Sequence, residues 1–219
     1  MRLNRFIAQY TDLSRRRADE LIAEGRVIIN RTKANVGTIV KPDDKVFIDS
    51  VRLIPVRKQV ITILLHKPVG YVCSHDGQGS KTVFDLIQRR MQQLNIAGRL
   101  DKDSSGLVVL TNDGKLLQEL THPSNDKEKV YVVMTHKKLK DGDIARFASG
   151  VNIGDDRVSK MEVRPLTNPQ MFEVRIHEGR NRQIRRSFEA LGYNVTSLHR
   201  TQLGPYKITG IAEGEFKQL

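Results

Sequence analysis

The ten residues Gly98-Arg99-Leu100-Asp101-Lys102-Asp103-Ser104-Ser105-Gly106-Leu107 hold two carboxylates, two cations and two glycines, directly ahead of an apolar run at 107–110. An ionised carboxylate attacks carbon or removes a proton. At a strand entrance it stands on a rigid frame, which suits a positioned reactive group. A charged surface turn is the commoner use of such a composition, so the segment has to be weighed against the rest of the chain.

Two other groups of residues carry chemistry. Gly179-Arg180-Asn181-Arg182-Gln183-Ile184-Arg185-Arg186 places four arginines at the start of an expected helix. They cannot all share one helix face, so they are expected to divide between inward and phosphate-facing directions. Ser14-Arg15-Arg16-Arg17 puts three arginines in the first turn of another helix, against the positive end of its dipole. That arrangement costs stability unless an anion is near, and phosphate at a helix N-terminus is the natural one. Arg2 and Arg5, on the preceding helix, are placed to reach the same backbone.

The elements that must position these residues form two parts. The chain has 219 residues, a net charge of +12 and a pI near 10, which points to a polyanionic partner. Residues 1–58 carry thirteen Lys/Arg against seven Asp/Glu, half the excess in about a quarter of the length. There Leu3, Phe6, Ile7 and Tyr10 keep helical spacing, Ser14 caps a second helix, and Gly25 ends it. Short strands follow at 27–29 and 46–48, and 51–58, with Pro55, reads as the linker. Residues 59–219 show strand-like runs at 60–65, 107–110, 130–134, 161–163 and 172–176. Helical patterns fall at 83–94, 115–120 and 181–191, with Leu191 closing the last and Gly192 ending it. Regular strand–helix alternation is missing, so an α+β fold with a mixed, largely antiparallel sheet flanked by helices is expected. Cys73 is the sole cysteine, which excludes an internal disulfide and disfavours a cysteine-based zinc site. The six histidines show no metal spacing. No apolar signal core or eighteen-residue apolar run is present, so a soluble cytoplasmic protein, by default a monomer, is expected.

The string Arg2-Leu3-Asn4, Ser14 to Ile22, Gly25-Arg26-Val27 and Asn30 closely resembles the S4 RNA-binding domain over residues 2–49. The Gly98 to Leu107 segment resembles the signature of RNA pseudouridine synthases. Supporting elements follow in family order: His66-Lys67-Pro68-Val69-Gly70, then Lys129-Val130-Tyr131, then the late arginine segment. With the S4 domain in front, the chain is similar to the RsuA-type branch, whose members modify ribosomal RNA. His66 and Ser187 depart from the family's usual Asn and Met.

The resemblance implies that Asp101 is the essential carboxylate of a cofactor-independent conversion of uridine to pseudouridine. Asp101 would act as nucleophile at C1′ or C6, or as base toward a ribose proton. Arg185 would be the guanidinium that keeps it ionised in a closed pocket, with Arg182 and Arg186 as rivals for that place. Tyr131 would stack on the target base, its ring on the strand face opposite Val130 and Val132. Arg99 would fill the stack vacated by the extruded uridine. Lys67, Lys129, Arg180, Arg182 and Arg186 would line the RNA groove, and Arg2, Arg5, Arg15, Arg16 and Arg17 would hold structured RNA, ribosomal first and transfer RNA second.

Other classes fit less well. Gly77-Gln78-Gly79-Ser80-Lys81-Thr82 has Ser80 where a phosphate-binding loop needs glycine, and Thr82 with Asp85 reads instead as a helix cap. A non-catalytic S4 protein has no need for Asp101 beside Arg99 and a strand tyrosine. An S4-containing methyltransferase would want a glycine-rich cofactor loop, which is missing.

Overall fold

The computed structural model describes residues 1–56 and 59–219. The chain divides into two compact units, Met1–Gln59 and Val60–Leu219.

In the first unit, α1 (Leu3–Tyr10) and α2 (Arg15–Ala23) bury Leu3, Ile7, Ala18, Leu21 and Ile22. These close over Val27, Ala34, Val40 and Val46 to form one small core. The Ser14 hydroxyl accepts from the Arg17 amide at 3.1 Å, a cap that contributes about 1 kcal/mol. Gly25, at φ +71°, ends the helix as expected. Four short strands, β1 (Val27–Ile29), β2 (Thr32–Lys33), β3 (Val46–Ile48) and β4 (Val51–Arg52), form an antiparallel sheet in the order β2-β1-β3-β4. The expected linker therefore begins too early. Val51 and Arg52 complete the sheet, Leu53 packs against the core, and Arg57 and Lys58 lie outside the described residues.

The second unit is built on a nine-stranded sheet. Its strands are β5 (Thr62–Lys67), β6 (Asn95–Ala97), β7 (Ser105–Thr111), β8 (Lys129–Thr135), β9 (Glu162–Pro165), β10 (Met171–Ile176), β11 (Val195–Leu203), β12 (Tyr206–Lys207) and β13 (Phe216–Gln218). The main path runs β13-β5-β7-β11-β8-β10-β9, with β6 on β7 and β12 on β11. Among the described residues, β7 with β11 is the one parallel pair of strands; the rest are antiparallel. Both faces of β7 are covered. Val108 and Leu110 join the larger core with Phe147 and Phe188 of helices α4 (Asp141–Ser149) and α5 (Gln183–Ala190). Leu107 and Val109 join a second core with Leu120 of α3 (Gly114–Thr121). A strand buried on both faces loses the polar alternation of a half-exposed one, and 107–110 reads as the continuous apolar run this requires.

One expected helix does not form. Residues 83–94 make two 3-10 turns, Val83–Leu86 and Arg89–Met91, because Ile87 and Gln88 are extended between them. Thr82 and Asp85 do form the expected reciprocal cap, on the first of these turns.

Candidate active site

The loop 98–104 joins β6 to β7, which pair antiparallel, so Asp101 stands at the tip of a hairpin. Main-chain groups along nearly the whole loop are held. The Gly98 and Arg99 carbonyls accept from Arg200 at 2.6 and 3.4 Å. The Leu100 amide donates to the Cys73 sulfur at 3.4 Å. The Asp101 carbonyl accepts from the Ser104 amide, and that of Lys102 from the Gly70 amide. Arg185 donates to the Asp103 carbonyl at 2.8 Å, and Lys67 to the Ser104 carbonyl at 2.6 Å. Such a loop has little freedom left, as a reactive group requires.

Gly106 makes room for this packing. Its φ is +113°, and a Cβ there would lie 2.3 Å from the Arg200 carbonyl oxygen, because the two residues are partners in the parallel β7–β11 register. No side chain fits at that approach.

Asp101 faces a cleft of about 780 Å³ that is also lined by Arg99, Lys129, Tyr131, Arg182 and Arg200. The Asp101 side chain is 38% exposed, so the cleft is open and not the closed pocket anticipated from the sequence. Tyr131 is 6% exposed and lies directly opposite Arg200 across β8 and β11. Its ring joins the larger core and also lines the cleft.

Arg185 does not pair with Asp101. Its terminal nitrogens donate to the carbonyls of Val195 and Asp103, and its Nε lies 3.3 Å from the Asp103 carboxylate. The cation beside Asp101 is Arg182, at 3.8 Å, which also grips Asp103 through two hydrogen bonds of 3.1 and 3.0 Å. The reason is where the helix starts. Arg182 precedes α5 with φ +47°, so its side chain leaves the chain outside the helix periodicity that Arg185 follows. Partial burial opposes the Asp103 charge, but the Arg182 hydrogen bonds and the Arg185 charge outweigh it and hold the carboxyl below its ordinary pKa. Burial lowers the Arg185 pKa, against the pull of Asp103.

Three residues expected on the RNA groove have other tasks. Lys67 is 0% exposed and donates to the Pro68 and Ser104 carbonyls, so it fixes the loop from beneath. Burial pushes its pKa down, while Cys73, Asp103 and Asp101 pull it back. Arg180 is taken up by Asp155, Glu178 and the carbonyls of Arg157 and Val158. Arg186 is taken up by Asp155 and the Ile153 carbonyl. Lys129 lines the cleft with its Nζ on the Lys127 and His177 carbonyls, and burial lowers its pKa. Arg99 is exposed at the cleft.

In the first unit, Arg17 is neutralised within its own helix by Glu20 at 2.8 Å and Glu24 at 3.4 Å. Arg15 reaches Asn4 at 3.5 Å. Among the described residues, Arg2, Arg5, Arg15 and Arg16 meet no carboxylate. Arg200 and Cys73 escaped the sequence reading. A lone buried cysteine carries no pattern, and Arg200 sits in a polar stretch that reads poorly as a strand. Its one signal is the shared parity with Leu198, which puts an arginine on a core-facing side.

No helix among the described residues is long and apolar enough to cross a membrane. Residues 61–190 match the family described as RNA pseudouridylate synthase, and residues 1–46 match the S4 domain. Over 220 residues the chain is 36% identical to the dual-specificity RNA pseudouridine synthase RluF of Escherichia coli (strain K12), spanning all of this chain and 75% of that protein. Over 225 residues it is 32% identical to ribosomal large subunit pseudouridine synthase B of Bacillus subtilis (strain 168), spanning all of this chain and 91% of that protein. A crystal structure of a pseudouridylate synthase superposes with a TM-score of 0.73 at 30% identity, over all of this chain and 96% of the other. With a hairpin carboxylate facing a basic cleft and likeness that runs the full length, this chain belongs to the RNA pseudouridylate synthase family.

Proposed function

We propose that the chain isomerises a uridine of structured ribosomal RNA to pseudouridine without a cofactor, using Asp101 as its catalytic carboxylate. The observation that carries this reading is Asp101 at the tip of a closely tethered hairpin loop, facing a cleft that it shares with Tyr131. The reaction breaks the C1′–N1 bond, turns the uracil and joins C1′ to C5. In balance, the proton leaving C5 ends on N1 and no electrons are exchanged, so no redox partner is required. An ionised Asp101 serves as nucleophile at C1′ or C6, or as base at the ribose. Arg182 supplies the adjacent positive charge, and Arg185 holds the loop through Asp103 and Ser104. Tyr131 offers the uracil the exposed part of its ring. Arg99, two residues ahead of Asp101, fills the stack that the extruded nucleotide leaves. The first unit holds the RNA through Arg2, Arg5, Arg15 and Arg16. The ribosomal substrate is supported by the name of the Bacillus subtilis relative, and the cytoplasm follows as the site of action because ribosomes are there. The enzyme acts as a monomer in this reading.

The test uses ribosomal and transfer RNA from cells lacking the protein. Purified wild-type enzyme should restore one missing pseudouridine in ribosomal RNA, and Asp101→Asn should restore none. A missing site found only in transfer RNA would refute the ribosomal assignment. Wild-type turnover by Asp101→Asn would refute the role of Asp101.

A further inference from the structure

Arg200 is 1% exposed, and among the described residues no carboxylate meets its guanidinium. A buried cation without an anion carries a large desolvation cost. A leucine or methionine would fill the same slot without that cost, so packing alone does not call for arginine. Its hydrogen bonds say what it does there. Nε donates to the Leu107 carbonyl at 2.8 Å, and the two terminal nitrogens donate to the carbonyls of Gly98 at 2.6 Å and Arg99 at 3.4 Å. Two of these acceptors lie where the chain enters the Asp101 loop, and the third lies on the strand by which it leaves. The guanidinium lies against the Gly98 Cα, where a Cβ would meet its terminal nitrogens in ordinary contact at 3.6 and 3.8 Å and Leu203 more tightly at 3.2 Å. The guanidinium also borders the cleft, opposite Tyr131.

We propose that Arg200 is a positioning residue for the isomerisation: its planar fork fixes the backbone of Gly98 and Arg99, and thereby the direction in which Arg99 and Asp101 project into the cleft. This rests on the reading of Asp101 as the catalytic carboxylate. The fork matters as well as the charge. A lysine head group is one compact charge and cannot reach all three carbonyls as the three guanidinium nitrogens do. Lys67 does the corresponding work at the other end of the loop with one head group on two carbonyls, so the ends are held by cations from two different strands, β5 and β11.

The experiment compares full-length wild type, Arg200→Lys, Gly98→Ala and Asp101→Asn. The substrate is ribosomal RNA from cells lacking the protein, and the readouts are single-turnover rate, RNA dissociation constant and melting temperature. Arg200→Lys should bind RNA within about twofold of wild type yet turn over about 10²-fold more slowly, the scale of a displacement near 1 Å. Gly98→Ala displaces the same backbone carbonyl by another route, its φ of +77° and a 3.2 Å approach to Leu203, and should show the same split, which keeps the test alive if Arg200→Lys does not fold. Wild-type rates in the folded variants would overturn the proposal. A loss of RNA affinity that accounts for the loss of rate would overturn it too, since Arg200 would then serve binding. An active Asp101→Asn overturns the underlying reading instead, whatever the Arg200 variants do.

Discussion

The two basic regions of this molecule use their arginines in opposite ways. In the first unit, Arg2, Arg5, Arg15 and Arg16 are exposed or nearly so and meet no carboxylate among the described residues. Around the Asp101 loop, Arg182, Arg185 and Arg200 are each committed to carboxylates or carbonyls of the loop and its neighbours. A cation that must meet phosphate gains from staying solvated and uncommitted, because its partner displaces counterions on arrival. A cation that must hold a reactive group gains from having every donor used, because freedom there lowers the population of competent geometry. The count of arginines is therefore a poor guide to an RNA-binding surface. Their partners distinguish the two uses.

The largest test of this contrast is Asp101→Asn, which should lower the isomerisation rate by about 10³-fold or more while RNA affinity stays within about twofold. Loss of affinity in step with rate, measured by filter binding, would erase the distinction between the two regions. Next comes Gly106→Ala. The added methyl group meets the Arg200 backbone at 2.3 Å and takes an unfavourable φ, so the β7–β11 ladder must open. We expect a loss of about 3 kcal/mol or more in denaturant unfolding. An unchanged midpoint would mean that the loop does not depend on that ladder. Arg15→Ala with Arg16→Ala should weaken RNA binding and reduce the slope of log affinity against log salt by roughly 1 to 2. Arg17→Ala should leave that slope almost unaltered because Glu20 and Glu24 already occupy its side chain. Equal slopes for the two variants would remove the basis for separating free from committed arginines. The smallest effect concerns pH. The Asp103 pKa is lowered on folding, so its contribution to stability is present above the ordinary carboxylate value and is lost as pH falls through the depressed one. Both partners of the Arg182–Asp103 pair are nearly half exposed, so the amount is below about 1 kcal/mol. Asp103→Asn should flatten the acid limb of the stability curve by that amount, and a limb that becomes steeper would contradict the stated sign.

The same contrast explains what could be read from the sequence. The apolar strand β7, the alternating strand β10 and the capped helix α2 were legible because burial and pattern agree in them. The strand β11 was not. It lies in the middle of the sheet, between β7 and β8, yet its core reads Thr-Ser-Leu-His-Arg-Thr-Gln and its pairing with β8 contains two irregularities. Arg200 clamps the loop, and His199 meets the Ser105 hydroxyl at 2.9 Å. Side chains recruited for the site replaced the apolar residues that would have announced a central strand. Helix α4 was missed for a different reason. It contains Gly142 and Ser149 and fully buries only Phe147, so its periodicity is faint. The resemblance put Arg185 first and Arg182 second as the partner of Asp101, and the structure reverses that order because Arg182 precedes the last helix in a left-handed conformation. Local sequence spacing carries no mark of such a residue.

The parallel ladder also sets an order of events. Arg200 and the Gly98 carbonyl that it holds are separated by 102 residues of chain. During synthesis, the Asp101 hairpin leaves the ribosome long before β11 exists, so the nascent loop has its partners Lys67, Gly70 and Cys73 at hand but not the Arg200 clamp. The clamp closes only when β11 inserts between β7 and β8, and a truncation before Arg200 leaves the carbonyls of Gly98 and Arg99 without the donors that hold them.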